Sequence, residues 1–107
     1  MENKIKYNQL DWEASKVKGF FGKELINIEN GGVKLVRIDP LATYPGHLHP
    51  NKTEYAYVIM GSPDFEIEDH QYSSEPGDFF IFPVAKKHAI LNKTNLECVL
   101  LIGSIEN

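Results

Sequence analysis

The chain predicts an all-β fold, a β-sandwich or closed barrel formed by a single domain over residues 1–107. Three observations predict it. Turn signals recur at short intervals along the chain, and the stretches between them are short and rich in β-branched and aromatic residues. No long stretch carries the 3.6-residue period of an amphipathic helix. The length of 107 residues suits one compact core and not two. A barrel or double sheet would also remove or shorten the exposed edges that many short strands leave.

The elements follow in order. Residues Asp11–Lys16 are the one place where a helical turn is expected. Asn30-Gly31-Gly32 is a hairpin signal, because glycine tolerates the positive φ of tight turns. It separates a strand over Glu24–Glu29 from one over Val33–Ile38. Tyr44-Pro45-Gly46 interrupts the chain, and Tyr55–Met60 reads as the next strand, ended by Gly61-Ser62-Pro63-Asp64. Phe65–Glu68 alternates apolar and acidic residues, as a half-exposed strand does. Asp69-His70-Gln71 is a turn, which leaves His70 exposed, and Glu75-Pro76-Gly77-Asp78 is another. Phe79–Phe82 and Ala89–Leu91 are short strands around a Pro83–Lys87 connection. Asn92–Asn95 turns the chain into a last strand, Cys98–Ile102.

Composition narrows the function classes. Hydrophobic residues make up 42% and charged residues 24%, as in soluble globular proteins. The net charge is −4 and the longest basic run is the pair Lys86-Lys87, which argues against nucleic acid as a partner. No apolar run approaches the ~18 residues that span a bilayer, so no membrane partner is expected. The first seven residues mix charges and lack the apolar stretch of a secretory signal, so a cytoplasmic protein is expected. The single Cys98 cannot form an internal disulfide and lies in the apolar run Cys98–Ile102, which reads as core.

Chemistry concentrates on histidine. His47 and His49 are two residues apart, so in an extended strand both imidazoles point to one face and can share an ion. Glu54 follows after Pro50-Asn51 let the chain turn, and offers an oxygen to the same site. His88 enters a strand just after a proline-containing turn. Three imidazoles and a carboxylate suit a first-row divalent metal and leave coordination positions open, unlike a closed structural zinc site. Taken singly, each residue has a plainer role: solvated histidines, a surface carboxylate, a hydrogen-bonded core histidine. Their conjunction with the flanking glycines and prolines carries the metal reading.

That conjunction resembles the cupin superfamily. The family's first motif runs Gly, five residues, His-x-His, three or four residues, Glu, six residues, Gly. It aligns here with Leu41, His47, His49, Glu54 and Gly61, with Leu41 in place of the first glycine. The second motif runs Gly, five residues, Pro-x-Gly, two residues, His, three residues, Asn. It aligns with Gly77, Pro83, Ala85, His88 and Asn92, with Ala85 in place of glycine. Both departures fall on turn glycines and spare the donors. They imply that these backbone positions do not need positive φ here, or that the turns are reshaped. The motifs cover 41–61 and 77–92.

The resemblance implies a double-stranded jelly-roll barrel with His47, His49, Glu54 and His88 around one divalent ion (Fe, Mn, Ni, Cu or Zn) in its interior, and a homodimer. With Glu54 inward, strand parity also turns Ala56, Val58 and Met60 inward, and parity from His88 does the same for Ile90 and Asn92. These five are the candidate substrate-binding residues, with simple barrel filling as their alternative. The expected function is metal-dependent catalysis on a small oxygen-bearing organic substrate, of dioxygenase, isomerase or lyase type. The alternative is a non-catalytic small-molecule-binding or sensing module on the same metal site. No separate catalytic base stands out, because Glu54 is taken up as a ligand.

Overall fold

A computed structural model describes residues 3–107. A 3-10 turn at Tyr7–Gln9 precedes ten strands: β1 Glu13–Ala14, β2 Phe20–Ile28, β3 Gly31–Ile38, β4 Thr43–His47, β5 Lys52–Met60, β6 Asp64–Ile67, β7 His70–Tyr72, β8 Phe79–Phe82, β9 His88–Leu91 and β10 Cys98–Glu106. They form a six-stranded sheet, β1-β2-β3-β10-β5-β8, and a four-stranded sheet, β4-β9-β6-β7. All pairings are antiparallel. The two sheets make the jelly-roll barrel. Among the described residues, no helix is long and apolar enough to cross a membrane.

The alternation of the strands builds the core. Val36 and Ile38 of β3, Ala56 and Val58 of β5, and Cys98, Leu100 and Ile102 of β10 are buried at alternate positions. They meet Phe65 of β6 and Ile90 of β9 from the opposite sheet, with Phe82 of β8 between. Burying a side chain of this size stabilises by about 1.5–3 kcal/mol, so these positions hold the sheets together. Burial also pushes the Cys98 thiol up, with hydrogen bonds from Ser62 and Thr94 opposing it, so this cysteine is packing and not a nucleophile.

Several expectations need correction. The helical turn expected at Asp11–Lys16 is absent: the 3-10 turn lies earlier, and Glu13–Ala14 is instead the short strand β1, paired with Gly22 and Phe21. Tertiary pairing with β2 overrides the local preference. β4 and β7 were not expected at all. The turn after β6 falls on Glu68–Asp69, leaving His70 and Gln71 in β7, with His70 exposed as expected. Leu41 and Ala85, the two residues standing where the motif has glycine, keep positive φ of 65° and 62°. The turns are therefore not relaxed; an L-residue sits in the left-handed region at each, at a cost of about 1–2 kcal/mol.

The N-terminal segment is clamped from outside. Lys23 is buried, its ammonium 3.8 Å from the Tyr7 ring centroid and 4.7 Å from that of Trp12. It also donates to the Tyr7 carbonyl at 3.2 Å. From this clamp the chain crosses the β2 edge through β1, and Ser15 and Lys16 reach the wall of the cavity described next.

Candidate metal centre

The four expected donors meet. His47, His49, Glu54 and His88 each offer one ligand atom, and these atoms lie within 4.8 Å of one another. His47 ends β4 and faces His88 at the start of β9 across the four-stranded sheet. Glu54 comes from β5 in the other sheet, so the donor set bridges the barrel. His49 lies just beyond β4 rather than within a strand, so the two-residue strand alternation is not what turns it inward. The loop after His47 is held by the Ala85 N–H, which donates to the His49 carbonyl at 2.8 Å and ties the two motif loops together.

Two of the three imidazoles are oriented by backbone carbonyls. His47 Nδ1–H donates to the Pro45 carbonyl at 3.0 Å, and His88 Nδ1–H donates to the Lys86 carbonyl at 3.3 Å. A carbonyl only accepts, so both rings carry a proton on Nδ1 and turn Nε2 inward toward Glu54, the side from which metal-ligating histidines bind an ion. His88 stacks on Phe82 with centroids 4.3 Å apart and planes 4° from parallel. Glu54 Oε1 lies 3.0 Å from His49 Nε2 and 3.2 Å from His88 Nε2. Burial alone would raise the Glu54 carboxyl, but the His88 hydrogen bond and the fields of three histidines outweigh it and hold it below the usual range. Burial also lowers His47, against the opposing pull of the Pro45 carbonyl.

The chemistry of this set fits a divalent transition metal. A neutral imidazole and an ionised carboxylate are the ligating forms; burial favours neutral His47, and the neighbouring histidines favour ionised Glu54. Bonds of about 2.0–2.2 Å to one ion require only small side-chain adjustments from the observed spacing.

A cavity of ≈ 450 Å³ opens over the donors. Ile90 lines it, as expected. The other four candidate substrate-binding residues do not reach its wall. Ala56 and Val58 are fully buried in the core beneath. Met60 is corrected outright: β5 carries a bulge, with Val58 opposite Leu100 but Met60 opposite Val99, so the extra residue reverses parity and Met60 is exposed on the outer face. Asn92 is buried and holds a turn instead. Its amide donates to the Asp39 and Leu96 carbonyls at 3.0 and 2.8 Å, and its oxygen accepts from the Thr94 N–H and hydroxyl.

Most of the wall was not singled out from the sequence: Phe20, Val36, Ile102 and the charged residues Glu24 and Lys34 line it. Tyr44 lines it too, beside His47 with ring centroids 4.6 Å apart. Parity along Val33–Ile38 would have placed residues 34 and 36 together, but nothing local says that the β2–β3 corner is left uncovered by the second sheet.

The comparisons with known proteins agree with this geometry. A family model described as a cupin domain matches residues 34–103. No curated protein matches the chain. Among solved structures, an RmlC-like cupin from Shewanella frigidimarina is 18% identical at a TM-score of 0.89, covering 100% of this chain and 93% of its own. A predicted oxalate decarboxylase from Thermotoga maritima is 18% identical at 0.88, covering 96% and 98%. A sugar phosphate isomerase from a cupin superfamily, from Silicibacter pomeroyi, is 20% identical at 0.84, covering 97% and 76%. At such identities the likeness shows the fold alone, and the differing activities in those names fit a fold that hosts many chemistries.

Proposed function

The chain belongs to the cupin domain family, and from that premise we propose that it is a metal-dependent enzyme acting on a small oxygen-bearing organic molecule. One observation carries the reading: three imidazoles and a carboxylate converge in an open cavity, and all four line it. A divalent ion held there supplies a Lewis acid for a substrate carbonyl, enol or carboxylate oxygen. The chain's own residues do the rest. Pro45 and Lys86 carbonyls fix the histidine tautomers, Phe82 and Tyr44 fix the ring planes, and Ile90, Val36 and Ile102 give the substrate an apolar wall. The reaction is of dioxygenase, isomerase or lyase type, with the metal (Fe, Mn, Ni, Cu or Zn) deciding among them. The protein is read as cytoplasmic, supported by its unpaired Cys98, and as a homodimer, supported by the exposed Tyr57, Ile59, Phe79 and Ile81 of β5 and β8.

Metal analysis of the purified protein is the decisive first measurement. We expect about one divalent ion per chain, and at least a ~10–100-fold loss of affinity in His49→Ala and Glu54→Gln. Stoichiometric metal that survives both substitutions would overturn the site. Loaded with each metal, the protein should turn over at least one of a panel of 1,3-dicarbonyls, flavonols, uronates and keto-sugars. Tight binding without turnover of any would favour a non-catalytic sensing module.

A further inference from the structure

The cavity has a second polar end, and the geometry points to Lys34 as the residue there that selects the ligand: an organic anion with an oxygen donor at one end and a carboxylate at the other. This rests on the reading of the donor cluster as a metal centre and adds a ligand class to it. Val36 and Ile38 of β3 are buried against the core, so strand parity puts Lys34 on the same inner face. In register, Lys34 stands opposite Glu24 on β2 and Ile102 on β10, and Ile102 stands opposite Ala56 on β5. Glu54 precedes Ala56 by two residues on that same face. Two inter-strand spacings and one two-residue step separate the Cα atoms of Lys34 and Glu54 by roughly 12 Å.

The side chain lines the cavity. Its Cδ would be 4.0 Å from a Cβ placed on Gly22, so the stem leans over β2 while the residue stays exposed to solvent. Among the described residues, the ion pairs all involve other groups, and none uses Lys34. Its register neighbour Glu24 accepts a hydrogen bond from Asn27 at 3.4 Å instead. The cavity's remaining charges are Lys16 and Glu13 on the strap, which offset one another. Glu24 offsets Lys34 in the overall count, so a divalent ion on Glu54 leaves the cavity net positive by one charge, with the ion and the Lys34 ammonium separated by apolar Val36, Ile90 and Ile102. A flat or apolar body between two oxygen-rich ends matches that pattern.

The test uses the zinc-loaded protein and two probes, benzohydroxamate and para-carboxybenzohydroxamate, titrated by calorimetry. The hydroxamate chelates the metal in both, and only the second carries a carboxylate at the far end. We expect the carboxylated probe to bind about fivefold tighter to the wild type, Lys34→Met to abolish that preference, and Lys34→Arg to keep it. Plain benzohydroxamate should bind all three proteins equally, and because Lys34 is exposed the substitutions should leave the melting temperature unchanged. Equal affinity of both probes for the wild type, or a preference that persists in Lys34→Met, overturns the role of Lys34 while leaving the metal centre standing. Failure of benzohydroxamate itself to bind would remove the metal centre and this inference with it.

Discussion

Ala85 shows at the level of one residue how the chain keeps its site in place. Its φ of 62° places an L-residue in the left-handed region, and its N–H holds the His49 carbonyl at 2.8 Å. Glycine there would relieve about 1–2 kcal/mol of backbone strain. It would also free the unfolded chain, returning about 0.4–1 kcal/mol. Relief wins, so Ala85→Gly should stabilise by roughly 0.5–1 kcal/mol, read as a higher denaturant midpoint at unchanged slope. A lower midpoint would contradict this account of the turn. The donors were legible only together, because His47, His49, Glu54 and His88 sit in short patterns with flanking glycines and prolines that survive any adjustment of strand ends. Lys34 was not, because its place at the cavity depends on which corner of the barrel the second sheet leaves open.

Whole strands divide the same way. Phe79–Phe82 and the start of the last strand at Cys98 were read correctly, since proline, glycine and asparagine punctuate the chain around them. β1 and β7 have only two and three residues, too few for any period to show. β4 contains Pro45 and Gly46, which signal a break more strongly than a strand. The bulge that exposes Met60 comes from pairing with β10, some forty residues on, and no local signal encodes it. The outward faces of β5 and β8 carry their own expectation. Tyr57 and Ile59 of β5 and Phe79 and Ile81 of β8 are all exposed, with β8 the free edge of the sheet. A contiguous apolar face of this kind marks an interface, and a second copy of the chain is the proposed occupant. Phe79→Glu combined with Ile81→Glu should convert a dimer to a monomer in sedimentation. A wild type already monomeric at micromolar concentration would rule the dimer out.

For the molecule as a whole, the donor set matters because it joins two sheets. His47 and His88 belong to the four-stranded sheet and Glu54 to the six-stranded one, so an ion bound to all three crosslinks the halves of the barrel. The unfolded chain has no such site, so metal at about 100 times its dissociation constant stabilises the fold by about 2.7 kcal/mol. For a domain of this size that is a melting temperature about 10 °C higher or more. Adding a chelator to metal-loaded protein should remove that increment, and a metal-loaded sample whose melting point ignores the chelator would show that the ion does not span the sheets. The N-terminal strap has a different role in such experiments. The chain's one tryptophan, Trp12, lies outside the core, beside the Lys23 ammonium and with the Arg37 guanidinium 5.3 Å from its ring. Its fluorescence is therefore a gauge of whether the strap is docked. A ligand that fills the cavity touches the same strap through Glu13–Lys16, next to Trp12 in sequence, so a change in tryptophan emission on adding a ligand is the expected sign that the strap has shifted.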